Sequence, residues 1–439
     1  MPVSTLRIFA WLLAYLGLAL LPMAVAMLGS RPPPRELLVE AGAMLGLLGL
    51  GVLAGQLVIS GRHRWFAAGV GQDNLLQFHR NTGVFGWLLV LAHPILLMLG
   101  DSAFLAWLDP REDLLRALTM AALLLGTTVL AVTSLWRVSL GLQYETWRTI
   151  HAALSLLVVA GGLAHALMGA HHTAGLPTQL MLVGVVGVPL ALLIETRLWR
   201  PWRLRRRPWR IVEIEERRAE STRLVLRADG HAGMQFRAGQ YAWLTVGGTP
   251  FSLQQHPFSM ASSPTDPTRL EFIAKQVGDF TGSLPDLEPG TRAFLEGPYG
   301  VFSIDVEANR RAVFIAGGIG ITPILSMLRA CRERGHSQPM WLLYGNNDEG
   351  EIVAREALED LAGEMPLTLV HVLAEPSDDW DGATGYIDEE LLAQELPPDA
   401  DDIDYFVCGP QPLMDKVEPA LKSRGLDTLR LYSERFDLV

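Results

Sequence analysis

The chain has 439 residues, 49% of them hydrophobic and only 19% charged, with a formal net charge of −11. Soluble globular chains carry about 25% charged residues, so the composition is apolar for a wholly soluble protein, and the acidic balance argues against nucleic acid as a partner. Two cysteines, Cys331 and Cys408, exclude a disulfide framework, a four-cysteine zinc site and an all-cysteine iron–sulfur cluster, and with no Cys-x-x-Cys-His run covalent haem attachment is excluded as well.

Charge divides the chain near residue 207. Residues 1–207 hold 16 Lys+Arg, all arginine, against 9 Asp+Glu; the remainder holds 20 against 38. Six runs without Asp, Glu, Lys or Arg lie in the first part: Ile8–Leu28, Ala41–Ser60, Asn81–Gly100, Ala117–Leu135, Thr149–Met168 and Leu176–Ile194. Each approaches the ~20 residues that a helix needs to cross the hydrocarbon core. A buried core helix or a signal peptide would explain one such run, not six in succession, and no small-residue cleavage site follows the first. Arg7, Arg62 with Arg64, Arg137 with Arg148, and the arginines from Arg197 to Arg207 fall on one side of the bundle. By the positive-inside rule that side is cytoplasmic, and so are both termini.

Ionisable residues inside spans are costly and point to function. His79 and His93 belong to the third span region, His151 and His165 to the fifth, and both pairs have the same spacing. Fourteen residues bring a helix to within about 40° of four full turns, so each pair lies on one face with about 21 Å between its members. With both helices running outward, His79 faces His151 at the cytosolic end and His93 faces His165 at the other. Two neutral imidazoles opposed across a bundle can ligate one haem iron from both sides. Zinc is the poorer alternative, because ligands about 21 Å apart cannot share one ion. Arg80 and Arg148 are either partners for haem propionates or ordinary positive-inside arginines. His171 and His172, in a short loop, read as solvated residues.

From Trp209 the pattern changes to short alternating segments broken by Gly, Pro and Asp. Ile211–Glu215, Thr222–Arg227, Gln240–Val246, Leu270–Lys275 and Ala293–Glu296 predict a small antiparallel barrel. Strands then alternate with helices: Ala312–Ala316, a helix ending near Arg334, Met340–Tyr344, a helix over about Glu351–Leu361, Leu367–Leu373 and Tyr405–Cys408. That order predicts an α/β parallel sheet. Gly317-Gly318-Ile319-Gly320-Ile321-Thr322-Pro323 joins the first of these strands to its helix, and such a glycine-rich turn lets backbone and helix N-terminus meet a pyrophosphate. It is not a complete G-x-G-x-x-G pattern, and a turn with no ligand is the alternative. Cys408-Gly409-Pro410 ends a later strand on the expected ligand edge, where Cys408 is alternatively an inert buried thiol. In the barrel, His256-Pro257-Phe258-Ser259 and Gly278-Asp279-Phe280-Thr281-Gly282-Ser283-Leu284 offer the hydroxyl, imidazole and backbone N–H groups that a dinucleotide requires.

In this order the motifs resemble the NADPH oxidase and ferric reductase superfamily, a haem-containing membrane domain fused to a ferredoxin-reductase-like dehydrogenase. The resemblance rests on His79-Arg80 with Gly83, His93, Tyr144-Glu145-Thr146-Trp147-Arg148 before His151, His165, and the four dehydrogenase motifs above. It implies three domains: a six-helix membrane bundle with two b-type haems over residues 1–207, an FAD-binding β-barrel over 208–306 and an NAD(P)H-binding α/β domain over 307–439. It implies His79, His93, His151 and His165 as iron ligands. Phe258 and Ser259 would lie beside the isoalloxazine and His256 and Thr281 near the pyrophosphate, with Tyr241, Pro257, Lys275, Gly278 and Gly282 completing the flavin set. The nucleotide would lie at Gly317–Pro323, with Gly409, Pro410 and the thiol of Cys408 near the nicotinamide. Ser259, Cys408 and Phe436 are the residues implied in hydride transfer. A C-terminal aromatic covers the flavin in this family; Phe436 is the candidate, although Asp437-Leu438-Val439 extends past it. The expected protein is multi-pass in a bacterial inner membrane and passes electrons from cytosolic NADPH or NADH to an outer acceptor. That acceptor is dioxygen, giving superoxide, or else a ferric chelate, a quinone or a periplasmic protein. After Tyr344-Gly345, the stretch Asn346-Asn347-Asp348-Glu349 would repel a 2′-phosphate, while Arg355 is placed to attract one. No EF-hand loop is present, so direct calcium control is not expected.

Overall fold

The computed structural model describes residues 5–29, 32–63, 72–169, 171–397 and 402–435. The chain forms two compact units that part between Arg200 and Pro201. Among the described residues of the first unit run six helices: α1 (Thr5–Leu28), α2 (Leu37–Ile59), α3 (Gln72–Gly100), α4 (Leu114–Leu135), α5 (Tyr144–Met168) and α6 (Leu176–Ile194). All six are long and apolar enough to cross a membrane. Leu115, Leu125 and Leu157 are 77%, 65% and 69% exposed, an arrangement that lipid tolerates and water does not. The third helix begins well before the apolar run at Asn81, because exposed Arg80 interrupts the hydropathy without interrupting the helix.

Small residues set the approach of α2 to α3. A Cβ on Gly42 would meet the His93 carbonyl oxygen at 3.1 Å, one on Gly46 would meet His93 Nδ1 at 2.7 Å, and one on Gly49 would meet Leu89 Cβ at 3.5 Å. Glycines one turn apart let two membrane helices pack backbone to backbone, and here they do so against the turn that carries His93.

The second unit opens with an antiparallel six-stranded sheet in the order β4-β3-β6-β1-β2-β5. Its strands are β1 (Trp209–Arg217), β2 (Ser221–Ala228), β3 (Tyr241–Val246), β4 (His256–Ser259), β5 (Arg269–Lys275) and β6 (Arg292–Tyr299). A bridge from Met260 to Phe272 ties the end of β4 to β5 and brings the two sheet edges together, around a core of Trp209, Leu224, Leu244, Met260 and Phe272. The segment His256–Ser259, not among the strands predicted from the sequence, is strand β4 paired to β3.

The rest is a parallel sheet in the order β10-β9-β8-β7-β11-β12, with β7 (Arg311–Gly317), β8 (Met340–Asn346), β9 (Leu367–Leu373), β10 (Ala383–Thr384), β11 (Ile403–Gly409) and β12 (Leu431–Arg435). The helix expected from about Glu351 starts at Arg355 instead. The Val353 amide is held by the Tyr344 hydroxyl at 3.2 Å, and Ala354 takes a left-handed φ of 56°, so the chain reaches its helix only after this anchor.

The barrel and the parallel-sheet lobe are joined by a charge cluster. Buried Glu271 on β5 accepts from Arg223 Nη2 at 2.8 Å and from Arg329 Nη1 at 2.9 Å; Arg329 also reaches the Ala261 carbonyl at 2.8 Å. Burial pushes the Glu271 carboxyl up, but the two guanidiniums outweigh it and hold it below the usual carboxylate range. Its stabilising contribution is therefore present in full above that range and lost as pH falls through the lowered value. Glu271→Ala leaves two arginines without their shared anion and should destabilise this unit by about 3–5 kcal/mol, read as a lower unfolding temperature at pH 7 and a smaller difference from the parent near pH 3.

Candidate functional site

The membrane unit brings the four span histidines together in two pairs. The His79 and His151 rings have centroids 6.3 Å apart and an interplanar angle of 64°; for His93 and His165 the values are 6.0 Å and 67°. Two imidazoles that each place a nitrogen about 2 Å from one shared ion have ring centres about 6.3 Å apart. Both pairs thus have the spacing for one axially ligated iron.

Proton positions on two of the rings follow from their partners. His93 Nδ1 lies 2.7 Å from the Gly42 carbonyl oxygen, which can only accept, so Nδ1 carries the proton and Nε2 is left with its lone pair. Ser134 donates its hydroxyl hydrogen to the Leu130 carbonyl at 2.6 Å, so its oxygen accepts from His151 Nδ1 at 3.2 Å. Each second partner fixes the tautomer a metal needs. His79 Nδ1 has no hydrogen-bond partner among the described residues. One turn on from His79, Gly83 has open space where a side chain would stand, as the cradle of a flat ring requires.

Two tryptophans border these pairs, Trp147 from the motif before His151 and Trp107 from outside any motif. Trp147 lies 5.1 Å from the His151 ring, and Trp107 lies edge-on to His165 at 6.2 Å. Trp107 belongs to the 3-10 segment Ser102–Leu108 between two spans, where no periodic pattern marks it. Of the two candidate propionate partners, Arg80 is exposed and Arg148 half-buried, its guanidinium engaged with the Tyr144 side chain.

In the barrel, β3 and β4 pair Tyr241 with Ser259, Ala242 with Phe258, Trp243 with Pro257 and Leu244 with His256. The His256 ring stacks on Phe280 with centroids 4.1 Å apart and an angle of 20°. Phe280 sits in the short helical turn α7 (Asp279–Gly282). Thr281 closes that turn, its hydroxyl oxygen accepting from the Val277 and Gly278 amides at 3.0 and 3.1 Å. Its immediate role is thus to shape the loop. Gly278 and Gly282 both have open space at the Cβ position, which leaves the backbone of the turn approachable. Lys275 forms an ion pair with Glu351 at 3.6 Å.

In the parallel sheet, β7 is followed in sequence by β8 on one side and flanked by β11 on the other. Ligands bind at such a switch point, beyond the carboxyl ends of the strands. Gly317-Gly318-Ile319-Gly320 and Cys408-Gly409-Pro410 both end there, against each other. A Cβ on Gly320 would meet the Cys408 carbonyl oxygen at 2.3 Å, and one on Gly317 would meet Leu413 Cδ2 at 2.9 Å. Gly318 is the opposite case, with φ of 52° and open space beyond it. Ile321, Thr322 and Pro323 form the first turn of helix α8 (Ile321–Glu333), whose N-terminus meets the same crevice. Tyr344 braces the turn from below, donating to the Gly318 carbonyl at 2.9 Å; burial raises the phenol and keeps that proton in place. The Cys408 side chain is fully buried. Arg355 donates to Glu349 and Glu359, each at 2.9 Å, so it is already committed to two carboxylates. Phe436 lies outside the described residues.

Three family models match along the chain: "Ferric reductase like transmembrane component" over residues 45–162, "FAD-binding domain" over 219–303 and "Oxidoreductase NAD-binding domain" over 314–418. The reductase component of propane 2-monooxygenase from Rhodococcus jostii is 31% identical over 234 residues, which cover 52% of this chain and 62% of that protein. Ferredoxin–NADP reductase B from Sorangium cellulosum is 32% identical over 219 residues, 48% of this chain and 89% of that one. The chain therefore spans somewhat less than two thirds of the first relative and most of the second. A flavohemoglobin structure from Malassezia yamatoensis aligns over 99% of this chain and 100% of its own, with a TM-score of 0.50 and 18% identity, a likeness of fold alone.

Proposed function

The chain belongs to the NADPH oxidase and ferric reductase superfamily, and from that premise we propose that it carries electrons from cytosolic NADH across a bacterial inner membrane to dioxygen, forming superoxide. It is a multi-pass membrane oxidoreductase with FAD- and NAD-binding domains. The observation that carries the proposal is the pair of histidine couples, both at one-iron spacing on the same two helices. Bound FAD and two b-type haems would supply the splitting of a hydride's electron pair into single electrons and their passage along the bundle.

The chain's own residues then have distinct tasks. His79 with His151, and His93 with His165, would hold the two irons between their rings, and bound haem would supply one-electron transfer to the acceptor. Gly42 and Ser134 keep His93 and His151 in the ligating tautomer. Arg80 and Arg148 are the propionate partners of this proposal. On the cytosolic side, Tyr241, Pro257, Phe258 and Ser259 line the flavin from β3 and β4, with His256 stacked on Phe280 beside it. Gly278, Thr281 and Gly282 present the turn to the pyrophosphate, and Lys275 stands at the end of β5. Gly317 to Pro323, with Gly409 and Pro410, receive the nucleotide. Cys408, buried as it is, shapes the crevice through its backbone and acts as a positioning residue rather than a nucleophile.

Arg355 is neutralised by Glu349 and Glu359, and Asp348 caps the following turn, so the end of β8 offers carboxylates to the adenosine ribose. A carboxylate there accepts from a 2′-hydroxyl and repels a 2′-phosphate. The kcat/KM for NADH should exceed that for NADPH by about tenfold or more; equal values would contradict this assignment. The acceptor is tested by aerobic NADH oxidation in detergent with FAD added, following cytochrome c reduction with and without superoxide dismutase. Dismutase-sensitive reduction is expected. Reduced haem with little superoxide would move the acceptor to a ferric chelate or a periplasmic protein.

A further inference from the structure

The loop after α5 and the first turn of α2 hold a cluster that the electron path does not use. His172 Nε2 lies 2.6 Å from Glu40 Oε2, and His171 Nε2 lies 3.6 Å from Glu40 Oε1. The three ligand atoms all fall within 4.8 Å of one another, and the two imidazoles stand at 89° with centroids 4.7 Å apart. All three side chains are partly buried, with relative exposures of 25%, 16% and 22% for His171, His172 and Glu40. We propose that Glu40, His171 and His172 form a binding site for a divalent transition-metal ion of the zinc or copper type.

Two imidazoles and one carboxylate are the donor set that borderline divalent ions take, with a fourth position left for water. Metal–ligand bonds of about 2.0–2.1 Å place tetrahedral donors about 3.3 Å apart. On this estimate the shortest separation would open by about 0.7 Å and the widest would close by at most about 1.5 Å, adjustments on the scale of side-chain rotation. An ordinary hydrogen bond accounts for His172 on Glu40 but not for His171, whose buried Nε2 points at the same carboxylate and has no hydrogen-bond partner among the described residues. Arg35 donates to Glu40 Oε1 from both Nε and the backbone at 3.1 Å. It orients the carboxylate and leaves Oε2 to the metal. Thr173 donates to the Ala166 carbonyl at 2.7 Å and pins the loop on α5.

The site lies close to the His93–His165 pair along the chain. Glu40 precedes by two residues the Gly42 whose carbonyl receives His93 Nδ1, and His171 follows His165 closely on the same chain segment. The test uses full-length, tag-free, haem-loaded protein in detergent, stripped with EDTA and dialysed against Zn²⁺ of known free concentration, with zinc and iron measured together. The parent should bind one zinc per chain that the His171→Ala/His172→Ala double variant does not, at equal haem content. Glu40→Gln, which keeps the size of the side chain, should weaken that zinc by at least about tenfold, and it carries the test alone if the double variant loses its haem. Equal zinc stoichiometry and affinity in the parent and either haem-loaded variant would overturn the site. Haem content and NADH-to-flavin turnover read the electron path separately, so failure of one leaves the other standing.

Discussion

Replacing His93 or His165 by alanine should remove one of two haems, leave the other, and lower electron delivery to any outer acceptor by about 100-fold or more, since the relay then lacks its last iron. NADH-driven flavin reduction should stay close to the parent value, because those residues belong to a different unit of the chain. The reason is geometric. At 6.0 Å between ring centres, the two histidines are spaced to hold one iron between them, and alanine at either position would leave that iron with one protein ligand. His93 carries a second consequence. Its ring fills the space over Gly46, where even a methyl group would come within 2.7 Å of Nδ1, so Gly46→Leu should displace the ring and reproduce the loss of the same haem. Replacing His79 or His151 instead should remove the other haem and stop reduction of the one that remains, while flavin turnover persists. Unchanged haem content in both the His93 and His165 variants would show that these residues are not ligands.

Gly320→Ala should raise the KM for NADH by more than tenfold and destabilise the nucleotide lobe, with haem content unaffected. The added methyl would lie 2.3 Å from the Cys408 carbonyl oxygen, and backbone cannot swing aside as a flexible side chain can. The first turn of α8 must then lift from β11, and the crevice between the two glycine turns changes shape. Gly318→Ala supplies the contrast. Its methyl meets nothing, but φ of 52° is a left-handed conformation that costs a non-glycine residue about 1–2 kcal/mol. That variant should fold nearly as well as the parent and lose nucleotide affinity mainly because the methyl stands where the pyrophosphate approaches. Initial rates of flavin reduction against NADH concentration, together with thermal unfolding, separate the two. Equal KM for Gly320→Ala and parent would place the nucleotide elsewhere.

The parts of this fold that could be read in advance are those written in periodic or local signals. The six spans are apolar over the whole bilayer thickness, and His79, His93, His151 and His165 stand out because ionisable groups are rare there. The strand from Leu367 is apolar or β-branched over most of its length, and the Gly317–Pro323 turn has a composition tied to its geometry. What escaped depends on long-range packing. Strand β4 hides in His256–Ser259 because Pro257 and a turn-rich approach mask its pairing with β3. The Glu271 cluster between barrel and lobe and the place of Trp107 edge-on to His165 each join residues far apart in the chain, while the commitment of Arg355 depends on which nearby carboxylates the irregular turn before its helix brings to it. His171 and His172 read as solvated loop residues until Glu40, at the start of another helix, is seen between them. Gly42 and Gly46 carry a visible small-residue spacing, and a search for glycines one turn apart inside spans would have found them.

The most direct test is anaerobic addition of NADH to the purified, FAD-loaded protein, with the flavin and haem bands followed in one cuvette and total haem determined per chain. Two non-covalent b-type haems per chain, both reduced after the flavin, are expected. Absence of haem bands, or a flavin that bleaches while the haem stays oxidised, would contradict the account.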